Sequence, residues 1–237
     1  MKRPEVSIVI PTLNEAHYLK NTLESIKNQK TNLVYEIIIA DSYSKDGTRE
    51  IAKKYGCVIV DSPPGSISRG RHDGCLKAKS QIIVSANADT VYCQEWLELL
   101  TKPIREKKSV ASLGKLLTSD GNALEEFGCR FLFNPMARIS LFMKIPLAYA
   151  ENLAIDRKIY KKTGGFDTKL VTGEDTDLAK KILKFGNIAY CPNAVARVSM
   201  RRVKKWGYPK FIWFHTTNFF NSHFLHKSAE KYEPIRD

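Results

Sequence analysis

Three apolar runs in this chain each end by delivering an acidic residue. Ser7-Ile8-Val9-Ile10-Pro11 leads to Glu15, Glu36-Ile37-Ile38-Ile39-Ala40 leads to Asp41, and Ile82-Ile83-Val84-Ser85-Ala86-Asn87 leads to Asp89. Runs this short and this rich in Ile and Val read as strands buried on both faces, in a sheet covered by helices. Ligands of an open α/β sheet sit outside the carboxyl ends of its parallel strands. Three carboxylates gathered on that edge repel one another unless they serve a cation or a polar ligand. One pattern therefore points both to a fold class and to the place where chemistry would occur.

The segments between these runs have helical spacing. Asn14 is placed to cap a helix whose Leu19, Leu23 and Ile26 share a face. Ser44-Lys45-Asp46-Gly47-Thr48 turns the chain into a helix carrying Ile51, Ala52 and Tyr55. A short strand over Cys57 to Val60 is broken by Pro63-Pro64-Gly65. A helix over Arg69 to Ala78 precedes the fourth strand, Gln81 to Asn87, and Trp96, Leu97, Leu100 and Ile104 mark the next helix. This βαβα order predicts a mostly parallel, Rossmann-like sheet flanked by helices.

The second half is less regular. Leu113 to Phe127 reads as strand and loop. Phe131 to Ala150 is apolar but interrupted by Asn134, Arg138, Lys144 and two prolines, too broken to span a bilayer. Glu174 to Phe185 reads as a helix closed by Gly186, and Ile188 to Cys191 as a short strand. Aromatics crowd Trp206 to His226. With no repeat or clear linker, the expected organisation is one domain over residues 1–200 with a basic aromatic extension over 201–237.

Charge and cysteines narrow the function class. The formal net charge of +13 favours anionic partners. It is uneven, because Arg197 to Asp237 holds nine Lys/Arg against three Asp/Glu. Five widely spaced cysteines without a CxxC pair disfavour a disulfide framework or a zinc site and suit a reducing compartment. The chain enters a strand within a few residues, so no signal peptide is expected and the expected location is cytoplasmic. Pro11-Thr12-Leu13-Asn14-Glu15 lacks both the glycine pattern of a dinucleotide site and the Gly-Lys-Ser/Thr of a P-loop, which disfavours a dehydrogenase or P-loop NTPase.

Each acidic feature has a functional and an ordinary reading. Asp41 can accept from a base N–H or ribose hydroxyls, or simply cap a turn. Asn87 and Asp89, two apart at a strand end, can hold a divalent cation and ribose together, or form an Asx turn. Gly173-Glu174-Asp175-Thr176-Asp177 opens a helix, where acids suit the dipole; capping does not need three, so one is available as a general base. Arg69, Arg71 and His72 lie near the same sheet edge, where an arginine can face a pyrophosphate.

These motifs together resemble a family 2 glycosyltransferase with the GT-A fold. Ser7 to Glu15 resembles the family's opening strand and loop, and EIIIADSYSKDGT (Glu36 to Thr48) is similar to its second strand and D-G-S-x-D-G-T turn. Ile82 to Thr90 sits where the family has D-x-D. ENLAIDRKIYKKTGGFD (Glu151 to Asp167) resembles its acceptor-side segment, and Glu174-Asp175 its E-D pair. The resemblance covers roughly residues 5 to 200. It implies inverting transfer from a nucleotide-diphosphate sugar to a hydroxyl acceptor, a glycan or a lipid-linked molecule. By carry-over, Pro11, Thr12, Glu15, Asp41, Arg71, Asn87 and Asp89 would bind the donor, and Asp89 would hold Mn2+ or Mg2+ on the diphosphate. Asp175, with Glu174, would be catalytic, and Asn152 would face the acceptor.

Two departures stand out. Asn87 replaces the usual first Asp, removing a charge, and Ser199 falls where the family often has a His. His215 is a candidate substitute, and Arg201, Arg202 and Lys204 are alternatives for neutralising the diphosphate. The tail from Arg201 combines cations with Trp and Phe, which fits either a helix packed on the core or an anchor on an anionic membrane face. A catalytically weak sugar-nucleotide binder is the alternative function. A nucleic-acid binder is disfavoured because strand-end carboxylates would hinder it and the basic aromatics cluster in one tail.

Overall fold

A computed structural model of the protein describes residues 3–221. In chain order its elements are β1 (Val6–Thr12), α1 (Ala16–Lys27), β2 (Tyr35–Asp41), α2 (Thr48–Lys54), β3 (Val58–Asp61), α3 (Ile67–Lys77), β4 (Ile82–Ala86), β5 (Thr90–Tyr92) and α4 (Trp96–Arg105). There follow β6 (Ala111–Thr118), α5 (Ala123–Gly128), α6 (Asn134–Phe142), β7 (Asn152–Asp156), α7 (Arg157–Lys162), α8 (Glu174–Leu183), β8 (Ile188–Val198), α9 (Arg201–Trp206) and α10 (Tyr208–Phe220). A π-helical turn, Cys129–Phe133, joins α5 to α6.

The three apolar runs are adjacent strands of one eight-stranded sheet, ordered β3-β2-β1-β4-β7-β6-β8-β5. From β3 to β4 the pairing is parallel. β7 is inserted antiparallel between β4 and β6, and β8 runs parallel to β6. β5 pairs antiparallel with β8 at the far edge, although it follows β4 directly in the chain. A flat sheet would put β5 about 19 Å from β4 at the usual strand spacing. The connecting turn can reach at most about 14 Å, so the sheet must curl. The curl brings the β4–β5 turn toward the end of β8 and the start of α9.

Several boundaries differ from the sequence expectation for physical reasons. α1 starts at Ala16, and Asn14 does not cap it. Asn14 takes a left-handed φ of 54° and accepts from Lys45 N instead. The fourth strand ends at Ala86, so Asn87 and Asp89 lie in a turn where strand alternation no longer sets their direction. The loop expected before Phe127 contains α5, stabilised by a capping box between Asn122 and Glu125. The strand expected over Ile188 to Cys191 continues to Val198 through a bulge, because the register jumps from Gly114↔Cys191 to Lys115↔Val195. Of the expected aromatic segment, residues 222–226 lie outside the described residues, as do residues 222–237 of the expected extension.

The bulge is held by Asn152. Its Nδ2 donates to Lys115 O at 3.0 Å and Ala194 O at 2.9 Å, while its Oδ1 accepts from the buried Trp96 indole at 2.7 Å. A Cβ at Gly114 would collide with this amide, so the close approach needs glycine. Asn152 is fully buried and its amide is committed to this network. Asn152→Ala is expected to lower stability by about 2–4 kcal/mol, because it strands a buried indole N–H and two carbonyls. Urea unfolding measures this; a loss below about 0.5 kcal/mol would contradict it.

Candidate functional site

The loops after β1 and β2 are fastened to each other. Asp46 Oδ2 accepts from Ala16 N at 2.9 Å and Thr48 Oγ1 accepts from Glu15 N at 2.8 Å, so the start of α1 is capped by the neighbouring loop. Partial burial alone would raise the Asp46 carboxyl. Hydrogen bonds from Thr48 and Ala16 outweigh it and hold the group below its usual value. Gly47, with φ 92°, lets this loop turn into α2. Asp41 is fully buried at the end of β2. It accepts from Thr12 Oγ1 at 2.8 Å, from Ser44 N and Oγ, and from Arg49 at 3.2 Å. A carboxylate accepts about four such bonds. Asp41 therefore reaches a ligand only by exchanging a partner.

The β4 end is organised by Arg71, which is 2% exposed and projects from α3. It donates to Ser85 Oγ at 2.9 Å, Ala86 O at 3.3 Å and Asn87 Oδ1 at 2.6 Å. Its Nε lies 3.8 Å from Glu174 Oε1, an ion-pair distance beyond hydrogen bonding. Glu174 and Asp175 open α8 after Gly173, whose φ of 76° turns the chain into the helix. Burial raises the Glu174 carboxyl, with Arg71 opposing. Burial, and then the Glu174 charge, push Asp175 up to about 7. Glu151, one residue before β7, is likewise raised to about 7, by burial and then by Asp175 and Asp89, against the pull of Arg71.

The β4–β5 turn carries Asp89 and is pinned by α1, where Thr22 Oγ1 donates to Ala88 O at 2.7 Å and accepts from Thr90 N. Arg201, at the start of α9, reaches across to it. Its Nε lies 2.9 Å from Asp89 Oδ2, its Nη2 lies 2.9 Å from Glu15 Oε1, and its guanidinium covers the Tyr18 ring at 4.7 Å. Two carboxylates thus enclose one cationic group.

Glu15, Asp89, Arg71, Asn87, Glu174 and Asp175 therefore belong to one connected edge, bordered by Pro11, Thr12 and Asp41. Asn152 is not part of it. Of the other basic residues near α3, Arg69 pairs with Asp73, and His72 contacts Tyr160. His215 packs on Phe211 and Phe214. The sequence pattern assigns no role to Glu151, Arg49 or Tyr92. Tyr92 Oη accepts from Asn87 N and donates to Glu151 O, tying the two ends of the acid edge. Glu151 is legible only as the first letter of the E-N-L-A-I-D segment.

Oxygen donors and one or two carboxylates suit Mg2+ or Mn2+ shared with a diphosphate. Here Arg201 already stands between Glu15 and Asp89 as a positive charge, so the donor chemistry fits a cation. Among the described residues no cluster of three His, Cys, Asp or Glu could hold a metal. Phosphate oxygens would have to complete the shell.

Residues 7–164 match the model of the family described as Glycosyl transferase family 2. The chain is 26% identical over 200 residues to glycosyltransferase AglE of Haloferax volcanii, covering 77% of this chain and 62% of AglE. It is 25% identical over 231 residues to the O-antigen chain rhamnosyltransferase WbaN of Salmonella anatum, covering 91% of this chain and 73% of WbaN. Among solved structures, mannosyltransferase PcManGT from Pyrobaculum calidifontis, in complex with GDP-Man and Mn2+, superposes with a TM-score of 0.72 at 19% identity. That match covers 96% of this chain and 66% of PcManGT. S. aureus TarS 1–349 in complex with UDP-GlcNAc gives 0.68 at 18% identity, covering 82% of this chain and 58% of TarS. These likenesses show the fold, the expected GT-A arrangement.

The raised carboxyls make stability fall with rising pH. Glu151 takes up its proton in the folded state near pH 7 but in the unfolded state near the usual carboxyl value. Its favourable contribution is therefore full at low pH and lost as pH rises through about 7. Glu151→Gln is expected to exceed wild-type stability at pH 8 by on the order of 1–3 kcal/mol, and not at pH 4.5. Urea unfolding at the two pH values checks this; an equal gain at both would contradict it.

Proposed function

The chain belongs to glycosyltransferase family 2, and from that premise we propose that it transfers a sugar from a nucleotide-diphosphate sugar to an acceptor hydroxyl, inverting the anomeric carbon. One observation carries the reading: Glu15, Asp41 and Asp89 gather at the carboxyl ends of parallel strands, and Asp175 stands on the same edge with its carboxyl raised to about 7. Pro11, Thr12 and Glu15 line the nucleotide side, whose wall Asp41 fixes. Arg71 holds Asn87 and faces Glu174. Asp175 accepts the acceptor's hydroxyl proton as the oxygen attacks; a carboxyl poised near 7 is matched to that task at neutral pH. Arg201 offers charge to the departing diphosphate. A divalent cation, Mn2+ or Mg2+, held by Asp89 would supply further neutralisation of the diphosphate.

The acceptor proposed is a glycan or a lipid-linked hydroxyl. Phe127, Phe131, Met136, Ile139, Phe142 and Ile145 are exposed along α5, the π turn, α6 and the residues after it, and Phe142 is 90% exposed. From Phe127 to Ala150 there is no Asp or Glu, while Arg130, Arg138 and Lys144 add positive charge. Tyr208 of α10 joins this region through Asn122 and Glu125. Among the described residues no helix is long and apolar enough to cross a membrane. The chemistry of this face suits the surface of an anionic bilayer, on the cytoplasmic side, near a lipid-linked acceptor.

A second reading, a catalytically weak sugar-nucleotide binder, is motivated by the Asn87 amide, which is given to Arg71. Asp175→Asn separates the two: donor turnover is expected to fall about a hundredfold or more, with donor affinity little changed. Unchanged turnover would remove Asp175 as the base. For the membrane face, flotation with anionic liposomes at low salt is expected to carry the wild type upward and to carry Phe142→Asp much less. Equal flotation of both would place the contact elsewhere.

A further inference from the structure

Arg201 stands where an incoming cation would bind. Its side chain is 17% exposed, and both carboxylates it joins are as enclosed. On the same helix Lys204 is paired with Asp120 at 2.7 Å, and Arg202 lies 4.9 Å over the Trp206 ring. Arg201 reaches two strand-end acids at once, Glu15 and Asp89. Its anchoring is firm, because Val203 on the same helix is buried and Arg201 N donates to Ser199 Oγ at 3.3 Å.

A guanidinium on Asp89 and a divalent cation on the same carboxylate would sit within a few ångströms of each other. Their repulsion in a partly enclosed site is substantial, since like charges this close repel even in water and are screened less where water is partly excluded. A diphosphate changes the sign of the local field. Its negative oxygens can hold the metal and receive Arg201 together.

We propose that Arg201 is the resident counter-cation of the donor site: it occupies Asp89 in the empty protein, excludes a divalent cation that arrives alone, and yields Asp89 when cation and nucleoside diphosphate bind together. This rests on the donor-site reading above. It makes cation binding conditional on nucleotide, and it makes Arg201 the link between the donor site and α9. The carboxylate pair of Glu15 and Asp89 has a cation beside it at every stage, the arginine before binding and the divalent cation afterwards.

The test is a titration of Mn2+, read from the free-ion electron paramagnetic resonance signal. It uses wild type, Arg201→Gln, which removes the charge, and Arg201→Lys, which keeps it. Each is measured alone and with saturating UDP or GDP. Wild type is expected to bind Mn2+ weakly alone and much more tightly with one of the nucleotides. Arg201→Gln is expected to bind Mn2+ alone about fivefold more tightly than wild type, the equivalent of one ion pair of this kind, with a smaller gain on adding nucleotide. Arg201→Lys should stay near wild type. Nucleotide binding with unchanged Mn2+ affinity in Arg201→Gln overturns this proposal alone. Failure of every variant to bind either nucleotide or Mn2+ overturns the donor-site reading and this proposal with it.

Discussion

Arg71 lies almost fully buried beneath the acid edge, donating to Ser85, Ala86 and Asn87 while its Nε faces Glu174. A buried guanidinium without partners would cost several kcal/mol, and so would carboxyls without a cation among them. Each side therefore stabilises the other. The arginine fixes the end of β4 to the first turn of α8, and its charge opposes the burial that raises Glu151 and Glu174. The rest of the edge is arranged outward from this centre: Asp89 in the turn after β4, Glu151 before β7, and Asp175 beside Glu174.

The curl of the sheet is what makes the arrangement compact. β5 leaves β4 and pairs with β8 at the far edge, so the turn carrying Asp89 comes within reach of Arg201. The loops after β1 and β2 are zipped by Asp46 and Thr48, which presents Glu15 and Thr12 at a fixed height above the strands. Arginines are spaced along the acidic edge: Arg49 beside Asp41, Arg71 beside Glu174, Arg201 between Glu15 and Asp89.

The parallel half of the sheet was legible because Ile38, Ile39, Ile83 and Val84 are buried on both faces, and an unbroken apolar run of strand length is what such burial requires. The family motifs marked the acids at the strand ends. Partnership was not legible. Asn87 and Asp89 read as a pair only if strand alternation extends past Ala86; the strand stops there, and the two side chains go to Arg71 and Arg201 instead. The second half was harder. β8 crosses Pro192 through a bulge whose support, Asn152, lies 42 residues before the Ala194 carbonyl it holds, and helix α5 depends on a capping box inside a segment that reads as loop. Such long-range and side-chain-to-backbone contacts leave no periodicity to read.

A site for a nucleotide-diphosphate sugar at the strand-end carboxylates is tested most directly by thermal unfolding. Wild type and Asp41→Asn are measured against a panel of UDP-, GDP- and dTDP-sugars, with and without Mn2+. A ligand at about a hundred times its dissociation constant stabilises the folded state by about 2.7 kcal/mol, which for a chain of this size raises the melting temperature by on the order of 5 °C or more. The expected result is such a rise with at least one donor, enhanced by Mn2+ and reduced in Asp41→Asn. No rise with any donor would contradict the site.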